Sequence, residues 1–371
     1  MEALPMGTLR LYLAVCVFLW HCWIVDYKHV VGAGPAVFCF FIMSGFLISL
    51  TLMEGYPHSA SGTLRFYANR ALRLFPSYLT VLFVSALTYA LGIAPFRVPG
   101  INGGFHILQA IDQITVLPGV LWLNLSPGAA TSSVTPLMIG WYYTVGLEMI
   151  FYALAPFFVR WKLSNLILLF ICCVILHFVP YMLGLPDRQW QYDFFPSTAV
   201  FFVAGALAYR LYLAIRDTTN RFVGWILLPG ILGYGALHES NAYTNDFASV
   251  VMYAAFTLLV PFLFIASQRS PIDKFLGDIS YPFYIVHGLA AELVGGGIGR
   301  QTNIVAGLSL SFALSLLLIL VVEHPVERLR KSIRARSTSE LNKLPTSNDT
   351  VRIRGAVLTR DLGGDRASVG L

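Results

Sequence analysis

The chain has 371 residues, of which 57% are hydrophobic and only 12% charged, with a net charge of +6 and a mean hydropathy of +0.69. Soluble domains carry about 25% charged residues, so too little polar side chain is present to coat a water-soluble globule of this size. That excludes a soluble enzyme, a disulfide scaffold and a largely disordered chain, and it makes the bilayer the solvent.

One arginine, Arg10, precedes an apolar run at the N-terminus, a pattern shared with signal peptides. No small-residue cleavage site follows His21, and nine further apolar stretches come after it, so the run reads as a first retained span. A spanning helix needs roughly 20 mostly apolar residues. Ten stretches qualify: 7–25, 33–53, 75–93, 140–159, 163–184, 194–213, 222–237, 247–266, 277–294 and 303–323. The expected fold is therefore all-α, a polytopic helical bundle of about ten transmembrane helices.

An even count puts both termini on one side. With the N-terminus cytoplasmic, all lysines and arginines except Lys28, Arg97, Arg188 and Arg300 fall at cytoplasmic ends or in the C-terminal tail. Orientation thus explains the positive charge without a nucleic-acid partner. The loop over 94–139 is rich in Gly, Pro, Asn, Ser and Thr and is long enough to suggest function. Beyond the last span the sequence turns polar, which predicts a membrane domain over 1–331 and a disordered cytoplasmic tail over 332–371. Cys16, Cys22, Cys39, Cys172 and Cys173 all lie in apolar runs and read as buried free thiols, with no metal-site spacing.

An ionisable group at mid-helix in lipid costs ~2.5–3.5 kcal/mol or more, so the few at that depth carry the information. His21 lies eleven positions after Arg10, about three helical turns, so both project from one face roughly 16 Å apart along the axis. Spacing alone supports two readings: a histidine hydrogen-bonded to a backbone carbonyl, or a general base taking a proton from a hydroxyl. Glu148 is the one carboxylate near a span centre, on a face shared with Trp141, Thr144, Phe151 and Tyr152. It locks two helices together, orients the His21 ring, or contacts an acceptor alcohol. Arg70 and Arg73, at i,i+3 with Arg65 upstream, are either membrane-edge anchors or a site for phosphate. His177 has no motif around it and reads as a satisfied buried histidine. Glu292 and Glu323 lie near span ends, where water reaches them, and carry no assigned role.

Together these residues resemble the membrane-bound acyltransferase-3 family over residues 7–330. The resemblance rests on Arg10 and His21; on Ser44, Gly45 and Phe46; on Arg70 and Arg73 with Pro76; and on Trp141, Glu148, Phe151 and Tyr152. Ser280, Tyr281, Tyr284 and His287 extend it, and Glu323 and Pro325 close it, interrupted by His324. The helix around Glu148 reads WYYTVGLE, where the family more often has serines.

The resemblance implies an O-acyltransferase in the cell membrane, of the bacterial inner-membrane type. It would move an acyl group, most often acetyl, from cytoplasmic acyl-CoA to a hydroxyl of a carbohydrate or glycolipid, with no metal. His21 is then the general base, acting with Glu148 and Arg10, and Arg70 and Arg73 hold CoA phosphates. Ser44, Trp141, Tyr152, Tyr284 and His287 bind substrate or support the catalytic groups. Arg10 and Tyr152 are candidates for stabilising the oxyanion. Direct transfer is preferred; a covalent acyl-enzyme would need Ser44 or Cys22 as nucleophile, and Ser44 precedes a glycine suited to close helix packing. The rival class is a proton-coupled secondary transporter of a small solute, which the lack of an internal repeat argues against.

Overall fold

The computed structural model describes residues 6–21, 31–93, 142–186, 188–220, 222–237, 247–295 and 303–341. Among them every regular element is helical. In chain order they are α1 (Gly7–His21), α2 (Ala33–Gly55), α3 (Ala60–Ala90), α4 (Tyr142–Phe158), α5 (Leu163–Met182), α6 (Phe195–Ile215), α7 (Val223–Leu237), α8 (Phe247–Ser267), α9 (Pro271–Leu293), α10 (Ile304–Leu318) and α11 (His324–Leu341). π-helical turns at Arg188–Tyr192 and Ile319–Glu323 precede α6 and α11. Each of the ten expected stretches carries a helix. Six of the helical segments are long and apolar enough to cross a bilayer: Ala33–Gly55, Ala60–Ala90, Leu163–Met182, Trp190–Ile215, Phe247–Ser267 and Ile304–Ser337. Leu168, Ile226 and Val305 stand exposed on outer helices. Such a girdle of large apolar side chains is costly in water and at no cost against lipid tails.

α1, α2, α6 and α9 form the centre. α2 and α6 run parallel and close, because a Cβ on Gly45 would sit 2.0 Å from the Phe202 carbonyl oxygen and one on Gly205 2.0 Å from that of Ile42. Only glycine permits backbones this near. Phe38 on Phe201 and Phe41 on Phe202 stack alongside at 4.2 and 4.5 Å.

α1 and α9 are parallel and in register. The backbone N–H groups of Gly7 and Thr8 donate to Asp273 at 2.8 and 2.9 Å, and the Thr8 hydroxyl donates to the same carboxylate at 2.8 Å. Asp273, 2% exposed, thus caps the start of α1 from the first turn of α9. Fourteen residues further along each helix, His21 meets His287, with the same sequence separation as Gly7 and Asp273. The cap at one end fixes the pairing about 21 Å away.

Arginines counted in the charge asymmetry also close helix ends. Arg160 donates to the carbonyls of Leu52, in the last turn of α2, and of Tyr56, its C-cap, at 2.7 and 2.8 Å.

Four expectations change. α3 begins at Ala60 rather than 75, because the Ser59 hydroxyl accepts from the Gly62 N–H and caps a helix that carries Arg65, Arg70 and Arg73 within it. α9 begins at Pro271, behind a Ser270 cap that accepts from the Asp273 N–H. The polar segment from 332 continues as helix to Leu341. Its Glu340 pairs with Arg65, and the Asn69 side-chain amide donates to the Arg330 carbonyl at 3.3 Å, so α11 docks on α3. Cys172 is exposed on α5, whereas Cys16, Cys39 and Cys173 are buried. Cys22, the loop over 94–139 and the tail beyond 341 lie outside the described residues.

Candidate active site

Two cavities meet at Arg70 and Arg73, which line both. On one side is a polar vestibule of about 730 Å³ between α2, α3, the start of α9 and α11. On the other is a narrow chamber of about 90 Å³ between α1, α2, α3, α4 and α9, where Arg10, Ser44, Glu148, Tyr152, Tyr281 and Tyr284 converge. The vestibule has the size of a small-molecule site; the chamber is several-fold smaller.

Arg70 is 7% exposed, and its Nε atom is buried without a hydrogen-bond partner. Its guanidinium packs over the Phe66 and Tyr152 rings, with centroids at 5.7 and 5.9 Å. Among the described residues no carboxylate pairs with it. A cation removed from water is expensive unless an anion meets it, so Arg70 is a residue that could hold an anionic group entering either cavity. Arg73 differs: it pairs with Glu323 at 3.3 Å, and Glu323 also accepts from Ser77 at 3.2 Å. Glu323, expected near a span end where water reaches it and without a role, is a part-buried counter-ion of the second arginine on the vestibule wall. The π-helical turn that ends at Glu323 brings it there, a local feature common at functional sites.

In the chamber the Glu148 carboxylate accepts from Ser44 at 2.5 Å and from the Tyr152 hydroxyl. It therefore ties α2 to α4. Ser44 turns toward the carboxylate while its neighbour Gly45 makes the close packing with α6. Arg10 presents a buried Nη1 without a hydrogen-bond partner to the same chamber. Thr144 and Tyr284 bond to each other at 2.9 Å and end the chamber. Phe151 instead stacks on Phe202 at 4.4 Å, away from the chamber. Trp141 lies outside the described residues.

His21 does not line the chamber. It sits half-buried at the end of α1, its Nδ1 3.0 Å from Nε2 of His287, which is fully buried one turn beyond Tyr284. The ring planes differ by 5° and the centroids are 5.2 Å apart. With nitrogens so much closer than centroids, the rings meet edge to edge, in the geometry of an N–H···N bond. Nδ1 of His287 lies 2.7 Å from the Tyr284 carbonyl oxygen. A carbonyl only accepts, so His287 carries its proton on Nδ1 and accepts at Nε2. His21 must then donate from Nδ1, which puts its lone pair on Nε2. The sequence offered no sign of this pairing, since the two rings are 266 positions apart. His177 is buried with Nδ1 2.9 Å from the Ser197 carbonyl, as a satisfied structural histidine should be.

A family model described as an acyltransferase domain matches residues 6–323. The chain belongs to this acyltransferase-3 family. No curated protein and no solved structure matches it. With its apolar helices, the protein is a multi-pass integral-membrane acyltransferase. The acyltransferase match ends at Glu323, so it contains every motif residue from Arg10 to His287 and leaves α11 outside.

Proposed function

We propose that this acyltransferase moves an acyl group, acetyl in the first instance, from cytoplasmic acyl-CoA to a hydroxyl of a carbohydrate or glycolipid on the opposite side. The observation that carries the reading is Arg70: a buried guanidinium without a carboxylate partner among the described residues, at the junction of a nucleotide-sized vestibule and a smaller chamber. Arg70 and Arg73 bind the pyrophosphate at the mouth of the chamber. The arm passes Glu148 and carries the thioester toward Tyr284. Rotation of the Tyr284 side chain away from Thr144 would open the chamber toward the histidine pair.

His21 Nε2 takes the acceptor's proton as its oxygen attacks the thioester carbonyl. The C–S bond breaks and the proton passes from His21 to the departing thiolate. Glu148 holds α2 and α4 as the chamber walls, which gives it a positioning role. Direct transfer is favoured over an acyl-serine, because the Ser44 hydroxyl is engaged with a structural carboxylate.

The test is release of free thiol from acetyl-CoA by purified protein with a carbohydrate acceptor. His21→Ala should lower turnover by about 10²–10⁴-fold, the contribution of a general base, while CoA affinity stays unchanged. Undiminished turnover would remove His21 from this role.

A further inference from the structure

The vestibule has a wall that the family match does not include. α11 begins where that match ends, yet it brings Arg330 and Arg334 to the cavity that Arg70 and Arg73 enter from α3. Arg330 is 8% exposed. It pairs with Glu327 at 2.5 Å, and its Nη2 reaches Asn69 Oδ1 at 3.5 Å, but its Nε is buried with no hydrogen-bond partner. Arg70, Arg73 and Arg334 all act on it by like-charge repulsion.

The vestibule carboxylates relieve this only in part, through the Glu327 pair. Glu323 is engaged with Arg73 and Glu327 with Arg330, while Glu54 accepts from Tyr209 at 3.3 Å and lies 3.7 Å from Arg216. Asp278 is the remaining acid in the wall, against further cations at Arg269 and Lys274. Arg330, buried with an unpartnered Nε, and Arg334 one turn further along α11 therefore face the cavity beside Arg70 and Arg73 of α3. A compact anion with several acceptor oxygens satisfies that arrangement, and phosphate matches the guanidinium fork best.

Position distinguishes the two arginine pairs. Arg70 and Arg73 line both cavities and so stand where the arm leaves the nucleotide; Arg330 and Arg334 line the vestibule alone. We infer that Arg330 and Arg334 form a separate phosphomonoester site, which takes the ribose 3′-phosphate of the CoA donor and makes the enzyme distinguish coenzyme A from its dephospho form. This rests on the reading of the donor as acyl-CoA.

Equilibrium binding to the full-length protein in detergent tests it, with coenzyme A and 3′-dephospho-coenzyme A as probes. Wild type should bind coenzyme A about tenfold or more tightly, the scale of a charge-assisted contact. Arg330→Gln and Arg334→Gln should each shrink that preference while affinity for the dephospho form holds. Arg330→Lys should retain part of it. Equal binding of both probes to wild type overturns the site and leaves the donor reading intact, whereas binding of neither removes both. Equal loss for both probes in the two glutamine variants also overturns it. Because Arg330 helps dock α11 on α3, Arg334→Gln decides the question if Arg330→Gln does not yield monodisperse protein.

Discussion

The tautomer of His21 is set by a carbonyl it does not touch. Because Tyr284 fixes the proton of His287, and His287 fixes that of His21, replacing the middle residue should change catalysis without filling or emptying the donor cavities. His287→Phe keeps bulk but removes the acceptor, freeing His21 to place its proton on Nε2, where it cannot act as a base. Turnover should fall toward the limit of losing the base altogether, about 10²–10⁴-fold. His287→Gln retains an oxygen acceptor for the His21 N–H and should recover a measurable part of that loss; equal rates for the two variants, with CoA binding intact in both, would leave His287 a packing residue only. Half of this relay is visible in the sequence, since Tyr284 and His287 lie one turn apart on one helix. The other half depends on α1 lying beside α9, which no local pattern reports. The same division holds for the arginines: their shared face follows from i,i+3 spacing, but that Glu323 neutralises Arg73 and leaves Arg70 without an acid is a long-range fact.

Among the elements, α1 and α9 matter most, because their register carries the alignment set by a helix cap to the histidine pair. Asp273 accepts three hydrogen bonds from Gly7 and Thr8, and Gly7 lies so near α9 that a Cβ there would be 1.8 Å from the Asp273 carbonyl oxygen. Asp273→Ala should lower stability by about 1–2 kcal/mol, as loss of a good cap does, and should reduce turnover more than CoA affinity, since the histidines lie at the far end of the pair. Thermal unfolding with paired kinetics measures both; full turnover in a destabilised variant would show that packing of Phe18 against Phe283, at 6.2 Å, sets the register instead. Helix positions follow from hydropathy because the bilayer leaves few alternatives. The starts of α3 and α9 escape it because Ser59 and Ser270 nucleate polar first turns ahead of the apolar stretch, where capping chemistry and not hydropathy decides. The π-helical turn at Ile319–Glu323 has no signature in residue type, and with it the position of Glu323 goes unread.

At the scale of the whole molecule, the two cavities give the protein a direction. The vestibule, the α11 arginines and the docking of α11 on α3 all lie at the end where α1 and α9 begin, and the histidine pair lies where those helices approach the other end. Under the positive-inside rule the excess of lysine and arginine at the vestibule end would place that end in the cytoplasm, the side from which the proposed acyl-CoA donor comes. Charge asymmetry in the sequence thus agrees with a cavity asymmetry that only folding creates, since the vestibule is assembled from α2, α3, α9 and α11. Sidedness is then measurable in proteoliposomes of mixed orientation carrying a C-terminal protease-cleavable tag. As α11 ends at the vestibule side, the fraction of tag cleaved from outside counts the molecules whose vestibule faces the added donor. Turnover of externally added acetyl-CoA should match that fraction and rise to the full value when detergent opens the vesicles. Turnover that ignores tag accessibility would mean that donor enters from the histidine end, and the path from Arg70 to Tyr284 would have to be reversed.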